Sequence, residues 1–211
     1  MGKLIILTGN TGVGKTSLAR ALAKTGDFNL ALEQHTERPF QSLFKLDPHY
    51  ALANQIDYLM LRAEQERGLR LSPQTGLIDG GLDQDFHGFT QLFHTRSLLN
   101  DAEFDLCRRL YTFCRAELSL PDLIIHLTAS SDAIRQRLAG RDRINIARAD
   151  DLSLLDSYLD EWLASLAPER VLRLDVSSAS PAYTEVLPTL LTRIRTRLGL
   201  DAGTYETGYI P

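Results

Sequence analysis

The amino-acid sequence predicts an α/β fold built on a doubly wound, parallel β-sheet. Two short apolar runs, residues 3–8 (KLIILT) and 122–128 (DLIIHLT), are typical of strands that are buried on both faces. Segments with helical spacing of apolar residues separate these runs from three weaker strand candidates. Because strands alternate with helices along the whole chain, parallel strands joined by crossover helices are the expected arrangement.

The first half of the chain contains three predicted strands and two predicted helices. The strand at residues 3–8 ends at Gly9, and residues 16–23 have the apolar spacing of a helix. A second strand is predicted over residues 28–32. A long amphipathic helix follows over residues 48–69, and residues 76–78 form a short third strand.

The second half continues the alternation of helices and strands. Residues 82–120 predict one or two helices with a break near Asn100. The remaining predicted elements are a strand at 122–128, helices at 132–138 and 152–166, a strand at 171–175 and a helix at 182–198. The tail at 201–211 lacks periodicity, so a single domain is expected over residues 1–200.

The composition limits the classes of function and the cellular compartment. The 211 residues are 44% hydrophobic and 24% charged with a net charge of −4, as in an ordinary globular protein. No positive field recruits nucleic acid or an anionic membrane, so a phosphate ligand must be bound locally. Only Cys107 and Cys114 are present, which favours a reducing compartment over a disulfide framework. With no leader-like or membrane-spanning segment in the sequence, a cytoplasmic location is expected.

A phosphate-binding motif lies between the first strand and the first helix. Residues 9–16 fit the pattern G-x-x-x-x-G-K-[ST] in full, in the strand-turn-helix context that the motif requires. Its backbone N–H groups and the helix N-terminus attract phosphate, Lys15 reaches the β- and γ-phosphates, and the Thr16 hydroxyl binds Mg²⁺. The residues predicted to bind the nucleotide are Gly9, Asn10, Thr11, Gly12, Val13, Gly14, Lys15, Thr16 and Ser17.

Four polar motifs follow along the chain. Glu33 comes directly after the second strand, and the long helix carries Gln55 and Arg62 seven residues apart, on one face. The third strand continues into Asp79-Gly80-Gly81-Leu82-Asp83-Gln84-Asp85-Phe86-His87-Gly88-Phe89. An arginine-rich segment with Arg137, Arg141 and Arg143 follows the strand at residues 122–128.

In their order and spacing, these motifs resemble the deoxynucleoside kinase family over residues 3–198. The resemblance implies a P-loop NTPase-type three-layer fold with an arginine-rich lid at about residues 137–149. It also implies an enzyme of nucleotide salvage that uses ATP and Mg²⁺ to phosphorylate the 5′-hydroxyl group of a deoxynucleoside. A homodimer is the default assembly in this family, and neither a nucleic-acid polymer nor a membrane is an expected partner.

The same resemblance assigns roles to individual residues. Glu33 is the expected general base, with Glu37 as the local rival, and Asp79 joins Thr16 as a partner of Mg²⁺. The residues expected to bind the base are Gln55, Arg62, Asp85 and Phe89. The residues expected to stabilise the transferring phosphoryl group are Lys15, Arg137, Arg141 and Arg143. The Arg62 and Asp85 pair resembles the deoxycytidine and purine members more than the thymidine-preferring ones.

One departure from the family pattern concerns the end of the third strand. The family has an acidic residue, arginine and serine there, whereas this chain has Asp79-Gly80-Gly81. Arg38 and Arg62 are the candidates to replace the missing arginine. Two alternatives stay open: another P-loop small-molecule kinase, such as a nucleoside monophosphate kinase, and a catalytically weak nucleotide-binding regulatory protein.

Overall fold

A computed structural model describes residues 2–31, 38–139 and 151–200 of the chain. Within these residues, five parallel strands form one sheet in the order β2-β3-β1-β4-β5. The strands are β1 (Leu4–Thr8), β2 (Phe28–Ala31), β3 (Thr75–Asp79), β4 (Leu123–Thr128) and β5 (Val171–Asp175). The predicted α/β fold with a parallel sheet is therefore confirmed.

The helices connect the strands and cover both faces of the sheet. They are α1 (Lys15–Ala23), α2 (Pro39–Leu46), α3 (Ala51–Arg70), α4 (Leu82–Gln84), α5 (Gln91–Thr95), α6 (Asp101–Leu118), α7 (Ser131–Ala139), α8 (Leu152–Ala164) and α9 (Leu187–Leu198). A π-helical segment, Asp85–Thr90, joins α4 to α5. In the described part of the chain, no helix has the length and apolar character needed to span a membrane.

The alternation of side chains along β1 explains the three layers. Ile5 and Leu7 pack on one face with α1 and α9, and Leu4 and Ile6 pack on the other with α3 and α8. Both faces are apolar because helices cover both. A separate apolar cluster joins α3, α6 and the segment from α4 to α5, beside the sheet.

One helix and one helix boundary differ from the sequence prediction. Helix α2 was not predicted, although Pro39 in its first turn and the spacing of Phe40, Leu43 and Phe44 are signals for a short amphipathic helix. Helix α9 begins at Leu187 rather than near residue 182. Tyr183 has a φ of 57°, a left-handed conformation that a helix cannot continue through.

The strand order places a crevice at the carboxyl end of β1. Within the sheet, β2 and β3 lie on one side of β1, and β4 and β5 lie on the other side. The strand order therefore reverses direction at β1. In open parallel sheets, ligands bind outside the carboxyl ends of the strands at such a reversal. Thr8 and Asp79, which end β1 and β3, therefore mark the candidate site.

Candidate active site

The phosphate loop, residues 9–16, joins the end of β1 to the start of α1. Gly14 directly precedes α1 and has a φ of 113°. A Cβ atom at this position would lie 2.2 Å from Tyr183 Oη, so a side chain there would meet both strain and a clash. Helix α1 has no acidic residue in its first turn, so the positive end of its dipole remains available to an anion.

Four surrounding elements form hydrogen bonds with the phosphate loop. One contact comes from α4, one from the start of α8, one from α7 and one from the segment before α9. The four bonds are Gly9 N–H to Gln84 Oε1 at 3.2 Å, Asn10 Nδ2 to the Leu152 carbonyl at 2.8 Å, Arg137 Nη1 to the Val13 carbonyl at 2.8 Å and Tyr183 Oη to the Gly14 carbonyl at 3.2 Å. All four act on backbone or amide groups, so they fix the path of the loop.

Lys15 and Thr16 face the carboxyl ends of the central strands. Lys15 Nζ donates to the Gly9 carbonyl at 2.7 Å and to the Asn10 carbonyl at 3.0 Å. The Thr16 hydroxyl donates to Asp79 Oδ2 at the end of β3. This bond joins the phosphate loop to the neighbouring strand.

Thr16 and Asp79 have the donor atoms that Mg²⁺ prefers. Asp79 is buried, and its Oδ1 has no hydrogen-bond partner among the described residues. A buried, unpartnered carboxylate oxygen beside a hydroxyl group suits a hard cation with oxygen ligands. Across residues 2–31, 38–139 and 151–200, no cluster of three metal-ligating side chains occurs, so phosphate oxygens would have to complete the coordination.

Three of the predicted base-binding residues lie together between α3 and the π-helical segment. Arg62 Nε donates to Asp85 Oδ2 at 2.7 Å, and both side chains are buried. Gln55 Nε2 donates to the Asp85 carbonyl at 3.2 Å and to Thr90 Oγ1 at 2.8 Å. The predicted grouping of Gln55, Arg62 and Asp85 therefore matches their positions in the fold, although this geometry does not test their roles.

Phe89 and Arg137 make contacts that the sequence did not indicate. Phe89 is half-buried and packs against the apolar pair Leu92 and Leu155, between the π-helical segment and α8. Besides its bond to the phosphate loop, Arg137 donates through Nη2 to the Val176 carbonyl at 2.5 Å, just after β5. Its guanidinium group thus connects two backbone segments, and its predicted action on a phosphoryl group stays a prediction.

Arg62 also occupies the space beside Gly80. Gly80 has a φ of 88°, and a Cβ atom built on it would lie 3.2 Å from Arg62 Nη2. Arg38, the other candidate to replace the family arginine, is paired with Asp57 through Nε and Nη2. Arg62 is therefore the guanidinium group next to the strand end where the family has its arginine.

Several predicted site residues lie outside the described residues. Glu33, its rival Glu37, Arg141 and Arg143 belong to this group, and so does most of the predicted lid. Their predicted roles therefore stay predictions.

A buried charged cluster next to the site was missed by the sequence analysis. Arg115 Nη2 lies 2.6 Å from Glu66 Oε1, and Arg115 Nε lies 3.0 Å from Asp83 Oδ1. Tyr111 donates its hydroxyl to Asp83 Oδ1 at 2.8 Å. One signal was available: Glu66 is four residues after Arg62 and continues the same face of α3 toward the sheet.

Known proteins of one family are similar to this chain. A family model described as deoxynucleoside kinase matches residues 5–196. A deoxyadenosine kinase of Dictyostelium discoideum is 29% identical over 143 residues, which cover 67% of this chain and 58% of that protein. A deoxyguanosine kinase of Lactobacillus acidophilus is 26% identical over 160 residues, which cover 74% of this chain and 70% of that protein.

A solved structure supports the fold. The deoxyadenosine kinase of M. mycoides with bound dATP has a TM-score of 0.74 against this chain. The alignment covers 90% of this chain and 99% of that one, at 17% sequence identity. A match of this kind establishes the three-layer fold of the P-loop kinases.

Proposed function

The chain belongs to the deoxynucleoside kinase family, and on this premise we propose that it transfers the γ-phosphate of ATP to the 5′-hydroxyl group of a deoxynucleoside. One observation carries the proposal. The phosphate loop and the buried Arg62 and Asp85 pair lie at the ends of the neighbouring strands β1 and β3, joined by the bond from Thr16 to Asp79. A phosphate donor bound at the end of β1 and a nucleoside bound at the end of β3 would meet beside the hydrogen bond from Thr16 to Asp79.

The phosphate loop binds and orients the donor. Its N–H groups and the N-terminus of α1 hold the β- and γ-phosphates, and Lys15 Nζ exchanges its carbonyl acceptors for phosphate oxygens. Bound Mg²⁺, held by Thr16 and Asp79, would neutralise charge on these oxygens. Arg141 and Arg143 are the residues proposed to spread the charge that develops on the phosphoryl group as it transfers.

On the acceptor side, Glu33 accepts the proton of the 5′-hydroxyl group as its oxygen attacks phosphorus. Arg62, beside Gly80, supplies the positive charge that the family places at the strand end. Phe89 closes the slot for the base. This arrangement makes the enzyme competent without the family arginine.

The base preference depends on Asp85. Its carboxylate is oriented by Arg62 and presents acceptor oxygens, which suit the exocyclic amino group of adenine, cytosine or guanine. Thymine has no such group. Deoxyadenosine, deoxyguanosine and deoxycytidine are therefore the proposed substrates in preference to thymidine, and the names of the two similar kinases support the two purine deoxynucleosides.

A panel of nucleosides with labelled ATP tests the proposal. We expect label on the 5′-position of deoxynucleosides, with kcat/KM about tenfold higher for the best amino-bearing base than for thymidine. Transfer to a nucleoside monophosphate instead would support the monophosphate kinase alternative. ATP binding without transfer to any acceptor would favour a regulatory protein.

We also propose a cytoplasmic homodimer with α6 at its interface. Leu106, Leu110 and Phe113 are spaced along one face of α6, and Phe113 is 66% exposed. Sedimentation of Phe113→Glu should show more monomer than the wild type at equal concentration. Leu71→Glu, an exposed leucine at the end of α3, is the matched control and should leave the assembly unchanged.

A further inference from the structure

The charged cluster of Glu66, Asp83 and Arg115 is almost completely enclosed by protein. Glu66 and Asp83 are inaccessible to solvent, and the Arg115 side chain is 9% exposed. Two carboxyl groups share one guanidinium group, and Glu66 Oε2 and Asp83 Oδ2 have no hydrogen-bond partner among the described residues. Burial raises the pKa of both carboxyl groups, while Arg115 opposes this shift. Such a cluster is costly, and burying apolar side chains instead would serve stability at least as well.

The contacts of the cluster converge on one short stretch of backbone. Residues 79–85, the acceptor segment, begin at Asp79 and end at Asp85. Glu66 Oε1 accepts the Leu82 N–H at 3.3 Å, and Asp83 itself lies in the middle of the segment. Arg115 therefore links the acceptor segment to α3 through Glu66 and to α6 through its own helix.

The acceptor segment needs support from outside because of its own sequence. Gly80 and Gly81 are consecutive and both have positive φ, at 88° and 99°. Glycine has no side chain to pack and a large conformational freedom, so two glycines in series leave the backbone loosely determined. Asp79, which is proposed to hold Mg²⁺, precedes the two glycines, and Asp85, which is proposed to bind the base, follows them. The distance between these two carboxylates must stay fixed.

We propose that Arg115 is a positioning residue: through Glu66 and Asp83 it fixes the acceptor segment, so that Asp85 and Arg62 are held ready for the nucleoside. This inference rests on the proposed function for its ligand. Arg115 takes over part of the role of the family arginine, because an arginine side chain at the strand end would itself restrict the acceptor segment. Arg115 contacts Glu66 and Asp83 and therefore acts through the acceptor segment.

Arg115→Lys tests the proposal because it keeps the charge and removes the planar guanidinium group. Lysine has a single ammonium group, whereas Arg115 donates a hydrogen bond through Nη2 to Glu66 and forms an ion pair with Asp83 through Nε, without hydrogen-bond geometry. We expect KM for the nucleoside to rise about tenfold, with KM for ATP changed less than about twofold. Arg108→Lys, the same change on the exposed side of α6, is the control and should alter neither constant.

Hydrogen exchange in the protein without substrate provides a readout that is independent of activity. The Leu82 amide should exchange about tenfold faster in Arg115→Lys than in wild type, while peptides from β1 and β4 keep their protection. An inactive wild type would overturn the proposed function, and exchange at Leu82 would then decide the positioning role alone. Unchanged exchange at Leu82, or an equal rise in both KM values, overturns the positioning role.

A milder variant covers the case that Arg115→Lys does not fold. Tyr111→Phe removes only the hydroxyl that donates to Asp83 and retains the ring, which stacks on Phe86 at 4.2 Å. Nucleoside KM and Leu82 exchange should rise about two- to fivefold, in the same direction and again without a change for ATP. No change in either quantity in the folded variant would contradict the proposal.

Discussion

The phosphate loop and the acceptor segment lie at the ends of adjacent strands, yet they are held in different ways. Hydrogen bonds to backbone or amide groups fix the phosphate loop from α4, α7, α8 and the segment before α9. The acceptor segment has backbone hydrogen bonds at Gly80 and Asp85, and its middle part also contacts the buried charges of Glu66, Asp83 and Arg115, which come from three helices. Because its contacts are made to backbone and amide groups, the phosphate loop can lose a reacting side chain and stay folded. In the acceptor segment, a substitution of a buried charged residue changes both the binding of the nucleoside and the stability of the fold.

The largest effect on activity is expected at Lys15, in the phosphate loop. Lys15→Ala should lower kcat by about 10³-fold, since a transition-state cation on the phosphates is lost. The melting temperature should stay within a few degrees of wild type, because the backbone contacts of the loop remain. Steady-state phosphorylation and thermal unfolding measure the two effects, with Lys24→Ala, exposed at the end of α1, as the control. Undiminished turnover by the folded variant would remove the phosphate loop from the mechanism.

Glu33→Gln should have the next largest effect. Glutamine keeps the size and hydrogen bonding of the side chain but cannot accept the proton, so kcat should fall by about 10²-fold with little change in KM for ATP. Glu37→Gln is the matched variant. If Glu37→Gln shows the loss and Glu33→Gln does not, the base assigned from the sequence is wrong.

The same contrast explains what the sequence could predict. The phosphate loop is encoded within residues 9–16, so its motif identified both the fold and the end of the sheet that carries the site. Helical spacing predicted that Gln55 and Arg62 share one face of the long helix, and the family resemblance singled them out as base-binding residues. By contrast, the cluster of Glu66, Asp83 and Arg115 joins residues up to 49 positions apart, and the spacing of Glu66 from Arg62 on α3 does not indicate its partners on α4 and α6.

Missed elements have similar physical causes. Helix α2 has the apolar spacing of an amphipathic helix, but it is only eight residues long, and a window this short does not separate a helix from other structure by periodicity alone. The late start of α9 depends on the left-handed Tyr183, whose hydroxyl contacts Gly14, a tertiary constraint far along the chain. The sequence also left open which arginine lies beside Gly80, since this depends on the packing of α3 against β3.

An arginine at Gly80 tests whether the acceptor segment tolerates the family side chain. Gly80→Arg would place a non-glycine residue at a φ of 88° and its Cβ atom 3.2 Å from Arg62 Nη2. Backbone strain of about 1–2 kcal/mol and the repulsion of like charges should lower kcat/KM about tenfold and reduce the melting temperature. Gly68→Arg, at an exposed position of α3 with open space around it, is the control and should be nearly neutral. A gain in kcat from Gly80→Arg would instead show that the wild type lacks a needed cation.

The smallest predicted effect is a pH dependence that compares one buried histidine from each region. His126 on β4 contacts Thr8 Oγ1 through Nδ1 at 3.0 Å beneath the phosphate loop, and His87 contacts Tyr111 Oη at 3.1 Å beside the charged cluster. Burial lowers the pKa of each to about 4, assisted by Arg173 for His126 and by Arg115 for His87.

Since an unfolded histidine has a pKa of about 6.5, the unfolded chain binds more protons between about pH 6.5 and 4, and the fold loses stability as the pH falls through this window. Each histidine should contribute a slope of up to about 1.4 kcal/mol per pH unit to the free energy of unfolding. Denaturant unfolding of His126→Gln across this range should show a shallower slope than wild type. For His87→Gln we expect a reduction of similar size, because burial lowers the pKa of both histidines to about 4. A slope that stays at the wild-type value in either variant would mean that the histidine of that region does not stay neutral in the folded protein.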